Sequence, residues 1–444
     1  MSNTLEAASG LIRISGRIRF FRRFGERSFA RSVALLAGGS ALGRLILMLA
    51  SLVLVRQYTV ADFGILQIYM SLLALIVPAA SLRYDAAVVL PKDEGTAADL
   101  LVLALLFTVP LALICGVATF LPRGLFPSTW QPLLPYLWLA APGFLGTAIY
   151  QALSYWAIRT KSYTQLARTR ITQMVCQAST QIAFGFCGLG PMGLIAGDVL
   201  GRLNGSGSLA SSIWRENRGQ FRAIRLSRLV QTARAYAKFP RVSAASSIVN
   251  AAGAALPMLL VASFYGSQVM GWFGMVDKVL TVSVSMVGQA VSQVYIQEAA
   301  SVARGDPFQL QALFHRTMFK LIPWGAIPAL LMLLWGPALF ALALGPDWRE
   351  AGIYARILSL NLFVTFTVWP LMSTLMVLGR LDWQFAWDCG RVVLTTFAIW
   401  LCSRMGATPR WAVAAYAGAT VAAYSAHLTI SAIAIRRHRI GLSL

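Results

Sequence analysis

The sequence predicts an all-α, polytopic membrane protein of about twelve transmembrane helices in two six-helix lobes, with both termini in the cytoplasm. Three observations predict it. Of 444 residues, 57% are hydrophobic and only 12% are charged, half the roughly 25% of an ordinary soluble domain. The mean hydropathy is +0.66. Apolar stretches of about 20 residues, the length that crosses a bilayer, recur along the whole chain. These facts exclude a soluble enzyme, a disordered chain and a secreted disulfide scaffold. The five cysteines (Cys115, Cys176, Cys187, Cys389, Cys402) form no CxxC pair and sit in apolar surroundings, where small packing residues are expected.

The spans follow in chain order at 32–56, 64–90, 97–120, 133–157, 171–189 and 192–213, then 242–265, 270–296, 318–343, 351–378, 384–403 and 411–435. This divides the chain into a basic cytoplasmic N-terminal segment (1–31), an N-terminal six-helix lobe (32–213), a basic cytoplasmic linker (214–241), a C-terminal six-helix lobe (242–435) and a cytoplasmic tail (436–444). Segment 1–31 has no cleavable leader pattern. Its residues LIRISGRIRFFRRFGERSFAR either lie on an anionic leaflet as an amphipathic helix or form a basic tail that fixes orientation. The linker mixes basic and apolar residues at helical spacing and is too short for a catalytic domain. The prolines Pro78, Pro110, Pro142, Pro257, Pro328 and Pro370 fall inside spans and are expected to bend them.

The charge sets the orientation. Lys and Arg total 38 against 16 Asp and Glu, a net charge of +22. With the N-terminus inside, 27 of the 38 basic residues fall in cytoplasmic segments and five in outer loops. Cytoplasmic loops collect Lys and Arg, so the excess records topology rather than nucleic-acid binding. The halves also echo one another. Tyr58-TVADF-Gly64 closes the first outer turn and Tyr265-GSQVM-Gly271 the first of the second half, 207 residues later. An even number of spans in each half makes the repeat parallel, an arrangement that places a substrate site between the halves near the midplane.

Ionisable groups inside spans cost about 2.5–3.5 kcal/mol each on insertion scales, so they mark cavities or partners. Arg44 lies deep in the first span and is read as facing a cavity. Arg83 and Asp85 lie near the inner end of the second, where a functional role and snorkelling are both open. Lys278 on the eighth span is expected in the cavity, and the adjacent Asp277 in the cavity or paired. Asp198 and Arg202, four apart, read as a structural ion pair. Asp388 and Arg391 receive the same reading. Gly193, Gly197, Gly201 and Gly205 form a ladder for close helix packing. Basic groups outnumber acidic ones inside the spans, which suits a phosphate-bearing ligand. There is no Walker loop, no HExxH and no other cofactor or metal motif. Transport would draw on a gradient, with Asp85 and Asp277 as candidates for ion coupling or charge pairing.

Six stretches carry a resemblance: RQYTVADFG, LRYDAAVVLPKDE, GLGPMGLIAGDVLG, KFPRVS, VGQAVSQVYIQEAA and LGPDWREAGIYARIL, in this order between about residues 31 and 380. Together they resemble the bacterial O-antigen and polysaccharide flippases of the multidrug/oligosaccharidyl-lipid/polysaccharide (MOP) exporter superfamily. The resemblance implies two six-helix lobes forming a V and no enzymatic activity. It implies a protein of the bacterial inner membrane that moves a polyprenyl-pyrophosphate-linked oligosaccharide from the cytoplasmic to the outer leaflet by alternating access, for O-antigen, capsule or exopolysaccharide. Arg83 and Asp85 match the family's Arg-Tyr-acid pattern, where Glu is often seen. Lys278 falls where relatives carry a basic residue. No family motif covers Arg44. The implied partners are the lipid-linked oligosaccharide, membrane lipids and a polymerase with its chain-length machinery, and no nucleic acid. The competing readings are a gradient-driven drug or metabolite exporter of the same fold and a membrane-embedded polysaccharide polymerase. The short outer loops disfavour the polymerase.

Overall fold

The computed structural model describes residues 38–39, 41–222, 226–305 and 307–440. The expected basic segment 1–31 and the last residues of the tail, 441–444, lie outside the described residues. The described chain is helical throughout and contains no strand. We number the membrane helices α1 Ala41–Leu54, α2 Val60–Ile76, α3 Glu94–Val117, α4 Ala140–Arg159, α5 Tyr163–Phe186 and α6 Pro191–Arg222. They continue with α7 (244–265), α8 (267–305), α9 Pro307–Leu344, a broken α10 (349–377), α11 Leu381–Arg404 and α12 Pro409–Ile440. The α7–α8 division falls at Gly266, whose φ of +84° is left-handed and suits glycine. Gly253 and Asp277 line one cavity, so the chain doubles back there.

Eight stretches among the described residues are long and apolar enough to cross a membrane unaided, and one of them, Phe239–Val284, spans the reversal and supplies parts of two helices. The remaining members of the set of about twelve are α1 and the polar α5 and α6. These two helices tolerate their polarity because they hide it against each other. An added Cβ at Gly197, Gly201 or Gly205 would meet Gln181, Gln177 and Gln173 of α5 in turn. The glycine ladder lets those amides reach the neighbouring backbone: Gln181 Nε2 donates to the Leu194 carbonyl at 2.8 Å. A polar group in a helix interface is then satisfied rather than stranded in hydrocarbon.

Three expected spans are not continuous α-helix. The fourth opens as a 3₁₀ stretch, Ser128–Leu139, because Pro132 and Pro135 remove the backbone donors an α-helix needs. The second ends in a 3₁₀ turn at Val77–Ala79 around Pro78. Leu82 and Arg83 then turn the chain with φ of +48° and +63°, before a short helix, Tyr84–Ala87. The tenth is split into Arg349–Ile357, Ser359–Val368 and Ser373–Val377, with Pro370 in the 3₁₀ turn between the last two. The cysteines are free, with Cys187 exposed and the other four half-buried rather than fully packed.

Helices α3–α6 pack chiefly among themselves, as do α9–α12 with the α7–α8 hairpin, and the two groups meet along α2, whose main contact is with that hairpin. The main hydrophobic core runs through this contact, from Phe63, Ile68 and Tyr69 to Met270, Phe273 and Val276. On the inner side, the linker folds into a helix, Leu226–Ala235, docked on α3. Arg228 Nε and Nη2 donate to the two oxygens of Asp99 at 2.6 and 3.0 Å, and this hydrogen bonding holds the Arg228 guanidinium above its ordinary pKa.

Candidate functional site

At the end of the bundle that the charge count assigns to the outside, two helices cross in direct backbone contact. Thr59 caps α2 with a box closed by Asp62, which fixes the helix start beside α8. There Gly64 lies so close to α8 that a Cβ would collide with the carbonyl oxygen of Ser267. Gly271 returns the relation: its Cβ would collide with the carbonyl oxygen of Val60. Residues 60 and 267, and 64 and 271, are each 207 apart, so the repeat offset read in the sequence reappears as a reciprocal contact. Around it Thr129 Oγ1 donates to the Ser263 carbonyl at 2.9 Å. The Phe63 ring meets the Trp348 ring edge-on at 5.3 Å.

Below this closure two cavities adjoin. One, of about 430 Å³, lies between the halves, lined by Gln67, Met70 and Ser71 of α2, Thr147 of α4, Arg202 of α6 and Asp277 of α8. The other, of about 360 Å³, opens within the C-terminal group. Ala254 and Asp277 border both, which makes Asp277 the hinge of the site.

The N-terminal wall is a closed polar cluster. Arg202 Nε donates to Asp198 Oδ2 at 2.5 Å and Nη1 to Thr147 Oγ1 at 2.5 Å. Asp198 Oδ1 accepts from Gln177 Nε2 at 3.1 Å. The Tyr69 hydroxyl is buried nearby without a hydrogen bond. The C-terminal wall is built from side chains four residues apart, which share a helix face. They are Asp277 and Thr281 on α8, Asn361, Thr365 and Trp369 on α10, Arg391 and Thr395 on α11, and Tyr416, Thr420 and Tyr424 on α12. Gly253 leaves the room that the Arg391 guanidinium occupies. Arg391 lies 3.8 Å from Asp388 and over the Trp387 ring at 5.4 Å, and its Nε is buried without a partner. Behind it Gln384 links Asp388 to the buried His427, at 3.4 and 3.1 Å.

The charged residues that line these cavities are therefore Asp277, Arg202 and Arg391, whereas the sequence put Arg44, Arg83 and Lys278 together on one cavity. None of those three is on the lining of either cavity. Lys278 is half-buried one position from Asp277, and neighbours on a helix point about 100° apart. Arg44 lies beside Arg170 of α5, and the adjacent Gly43 packs on Met174 of the same helix. Arg83 sits at the left-handed break that ends α2, half-buried, its Nε without a hydrogen bond. Asp85 is fully buried, with Oδ2 accepting from Gln151 of α4 at 2.6 Å and Oδ1 unpartnered. Nor is the lining net positive. Each arginine faces an acid of its own helix, and among the described residues no cation pairs with Asp277. The polar stripes of α10 and α12 carry no formal charge and were missed. Their signal is in the sequence, as Asn361-x3-Thr365-x3-Trp369 and Tyr416-x3-Thr420-x3-Tyr424.

At the inner mouth Arg159 donates to the carbonyls of Val88 and Pro91 at 3.1 and 2.6 Å, which pins the α2–α3 loop. Asp93 caps α3, accepting from the Thr96 amide and hydroxyl at 2.7 and 2.9 Å. Those bonds, the amide's above all, hold its carboxyl below the usual range. No group of three or more His, Cys, Asp or Glu among the described residues has metal-site geometry.

Comparison with known proteins places this architecture. The model of a family described as polysaccharide biosynthesis protein matches residues 53–353. The teichuronic acid biosynthesis protein TuaB of Bacillus subtilis (strain 168) is 24% identical over 172 residues, 38% of this chain and 35% of that protein. The chain thus matches about a third of that relative's length. Among solved structures, a MATE transporter in a bent conformation aligns with a TM-score of 0.59 at 12% identity, over 93% of this chain and 96% of that one. A MOP superfamily transporter from Pyrococcus furiosus, described as having a binding pocket of reversed polarity, aligns at 0.57 and 12% identity, over 92% and 96%. An inward-facing multidrug resistance MATE transporter aligns at 0.56 and 14%, over 92% and 96%. The chain therefore shares the fold of these solved transporters, and it belongs to the polysaccharide biosynthesis protein family.

Proposed function

We propose that this multi-pass membrane protein flips a polyprenyl-pyrophosphate-linked oligosaccharide from the cytoplasmic to the outer leaflet by alternating access. The observation that carries the reading is the pair of adjoining polar cavities on the seam between the halves, shut at the outer end by the α2–α8 crossing. A site sealed from outside and set between two helical groups is what a rocking carrier needs. The groups 32–213 and 242–435 act as the two lobes. The sugar enters the cavity while the lipid tail stays in the bilayer. The pyrophosphate is met by the Arg83 guanidinium near the inner mouth, with Arg44 and Lys278 as further cations. Asp85 and Asp277 are the candidates for ion coupling. The setting is the bacterial inner membrane, and polymerase and chain-length machinery are the expected downstream partners.

The test is a clean deletion in a strain lacking related flippases. Lipid-linked glycan should accumulate on the cytoplasmic leaflet, and Arg83→Ala should restore surface glycan poorly. Normal surface glycan in the deletion overturns the reading. One observation favours a drug exporter instead: Asp277 has no cationic partner among the described residues and so suits an organic cation. Resistance to ethidium conferred by the protein, and lost on Asp277→Asn, would establish that reading.

A further inference from the structure

We propose that the cavity within the C-terminal group is a saccharide subsite that takes an uncharged hexopyranose unit of the transported glycan. The inference rests on the flippase reading and adds to it a place and a chemical class for the sugar.

At about 360 Å³ the cavity is of a size that holds a small ligand. Its wall sets polar groups among apolar ones such as Phe273, Leu280 and Leu362. Four helices each turn a polar face inward: Asp277 with Thr281, Asn361 with Thr365, Arg391 with Thr395, and Thr420 between two tyrosines. A pyranose ring needs a mixture of this kind. Its hydroxyls donate to a carboxylate or an amide oxygen and accept from guanidinium and amide donors, while its C–H face lies on an aromatic ring. Asp277 supplies the acceptor, and the Arg391 guanidinium on the same lining supplies the donors. Trp369 and Tyr424 supply flat apolar surface.

Charge narrows the class. Arg391 is already opposed by Asp388 at 3.8 Å, and Asp277 adds a second carboxylate to the same wall. The local excess is one negative charge, which disfavours a uronate. The subsite is also distinct from Arg83, so sugar and pyrophosphate are read in different places.

The test reconstitutes the full chain in liposomes with three probes: a short-chain polyprenyl pyrophosphate bearing no sugar, one neutral hexose, or one hexuronic acid. The wild type should move the neutral-hexose lipid about tenfold faster than the uronate lipid, because unmatched like charge in such a site is expensive. In an Asn361→Ala/Thr365→Ala variant the advantage of the neutral hexose over the bare lipid should fall about tenfold, the worth of one to two hydrogen bonds. Thr365→Ser should retain it, and Tyr424→Leu provides a second variant should the double fail to fold. An unchanged ratio in a monodisperse variant, or a preference for the uronate, overturns the proposal. If the wild type moves none of the three lipids, the flippase reading fails instead. The subsite is then read by titrating methyl glucoside while following Trp369 fluorescence in a chain whose other tryptophans are phenylalanine. Binding weakened by the double variant supports the subsite, and no binding removes it.

Discussion

Asp198 is nearly inaccessible, and three side chains hold it in place: Arg202, Gln177 and, through Arg202, Thr147. Removing one partner of such a pair leaves a buried charge, at a cost of about 3–5 kcal/mol. Arg202→Leu should therefore lower the thermal midpoint in detergent by several degrees, and adding Asp198→Leu should recover part of the loss. Strict additivity of the two changes would show that they do not act as a pair. Asp93 gives a pH signature outside the membrane. Its folded-state pKa is depressed by the Thr96 bonds, so it contributes stability above the unfolded value of about 3.9, and that contribution fades as pH falls through the folded pKa. Asp93→Ala should destabilise at pH 6, and the difference from wild type should shrink progressively as pH falls below about 3.9, as followed by thermal unfolding. The charged candidates were legible as residues, since an ionisable group inside a span is conspicuous. Which of them face a cavity was not. Arg202 was readable as half of an ion pair because Asp198 precedes it by one helical turn, but its place on the cavity wall depends on α2 and α4. Asn361, Thr365, Tyr416 and Tyr424 carry no charge to draw the eye, and only the meeting of α8, α10, α11 and α12 turns their stripes into one wall.

At the scale of the element, the presence and order of the spans were legible because crossing a bilayer demands about 20 apolar residues, and the glycine ladder of α6 was legible from its spacing of four, whereas α5 and α9 begin at Tyr163 and Pro307 rather than at 171 and 318 because helix continues beyond the apolar stretch. The breaks were less so. Pro132 and Pro135 flag the 3₁₀ opening before α4, whereas Leu82 and Arg83 carry no turn signal although both take left-handed backbone. The element with the sharpest consequence is the α2–α8 crossing. Gly64→Val puts a branched side chain where the Ser267 carbonyl already lies, so the helices must separate and the outer end must loosen. A cysteine at Gln67, which packs against Gly274 and lines the central cavity, reports this. In a cysteine-free background, labelling by a membrane-impermeant maleimide from outside should rise about tenfold on Gly64→Val, equivalent to roughly 1.4 kcal/mol of bias. Unchanged labelling would mean that the closure lies elsewhere.

For the whole molecule, the fold class was legible in composition and charge, and the repeat showed in a single pair of turns. The charge count commits to an orientation that fusions can check. Alkaline phosphatase joined after Pro127 should be active, and a fluorescent protein joined after Gly219 or at the C-terminus should glow from the cytoplasmic side. A reversed pattern would undo the inside–outside assignment on which the proposed direction of transport depends. The reciprocal contact of Gly64 and Gly271 has one more consequence. Glycine has no rotamers, so bringing these surfaces together freezes no side-chain freedom and parting them releases none, where a seal of long side chains would lose up to about 2 kcal/mol per residue at each closure. The ordering cost of the joint therefore falls on the side chains packed around the two glycines, Phe63, Trp348 and Met270, and any separation of the two helices there must expose that apolar surface.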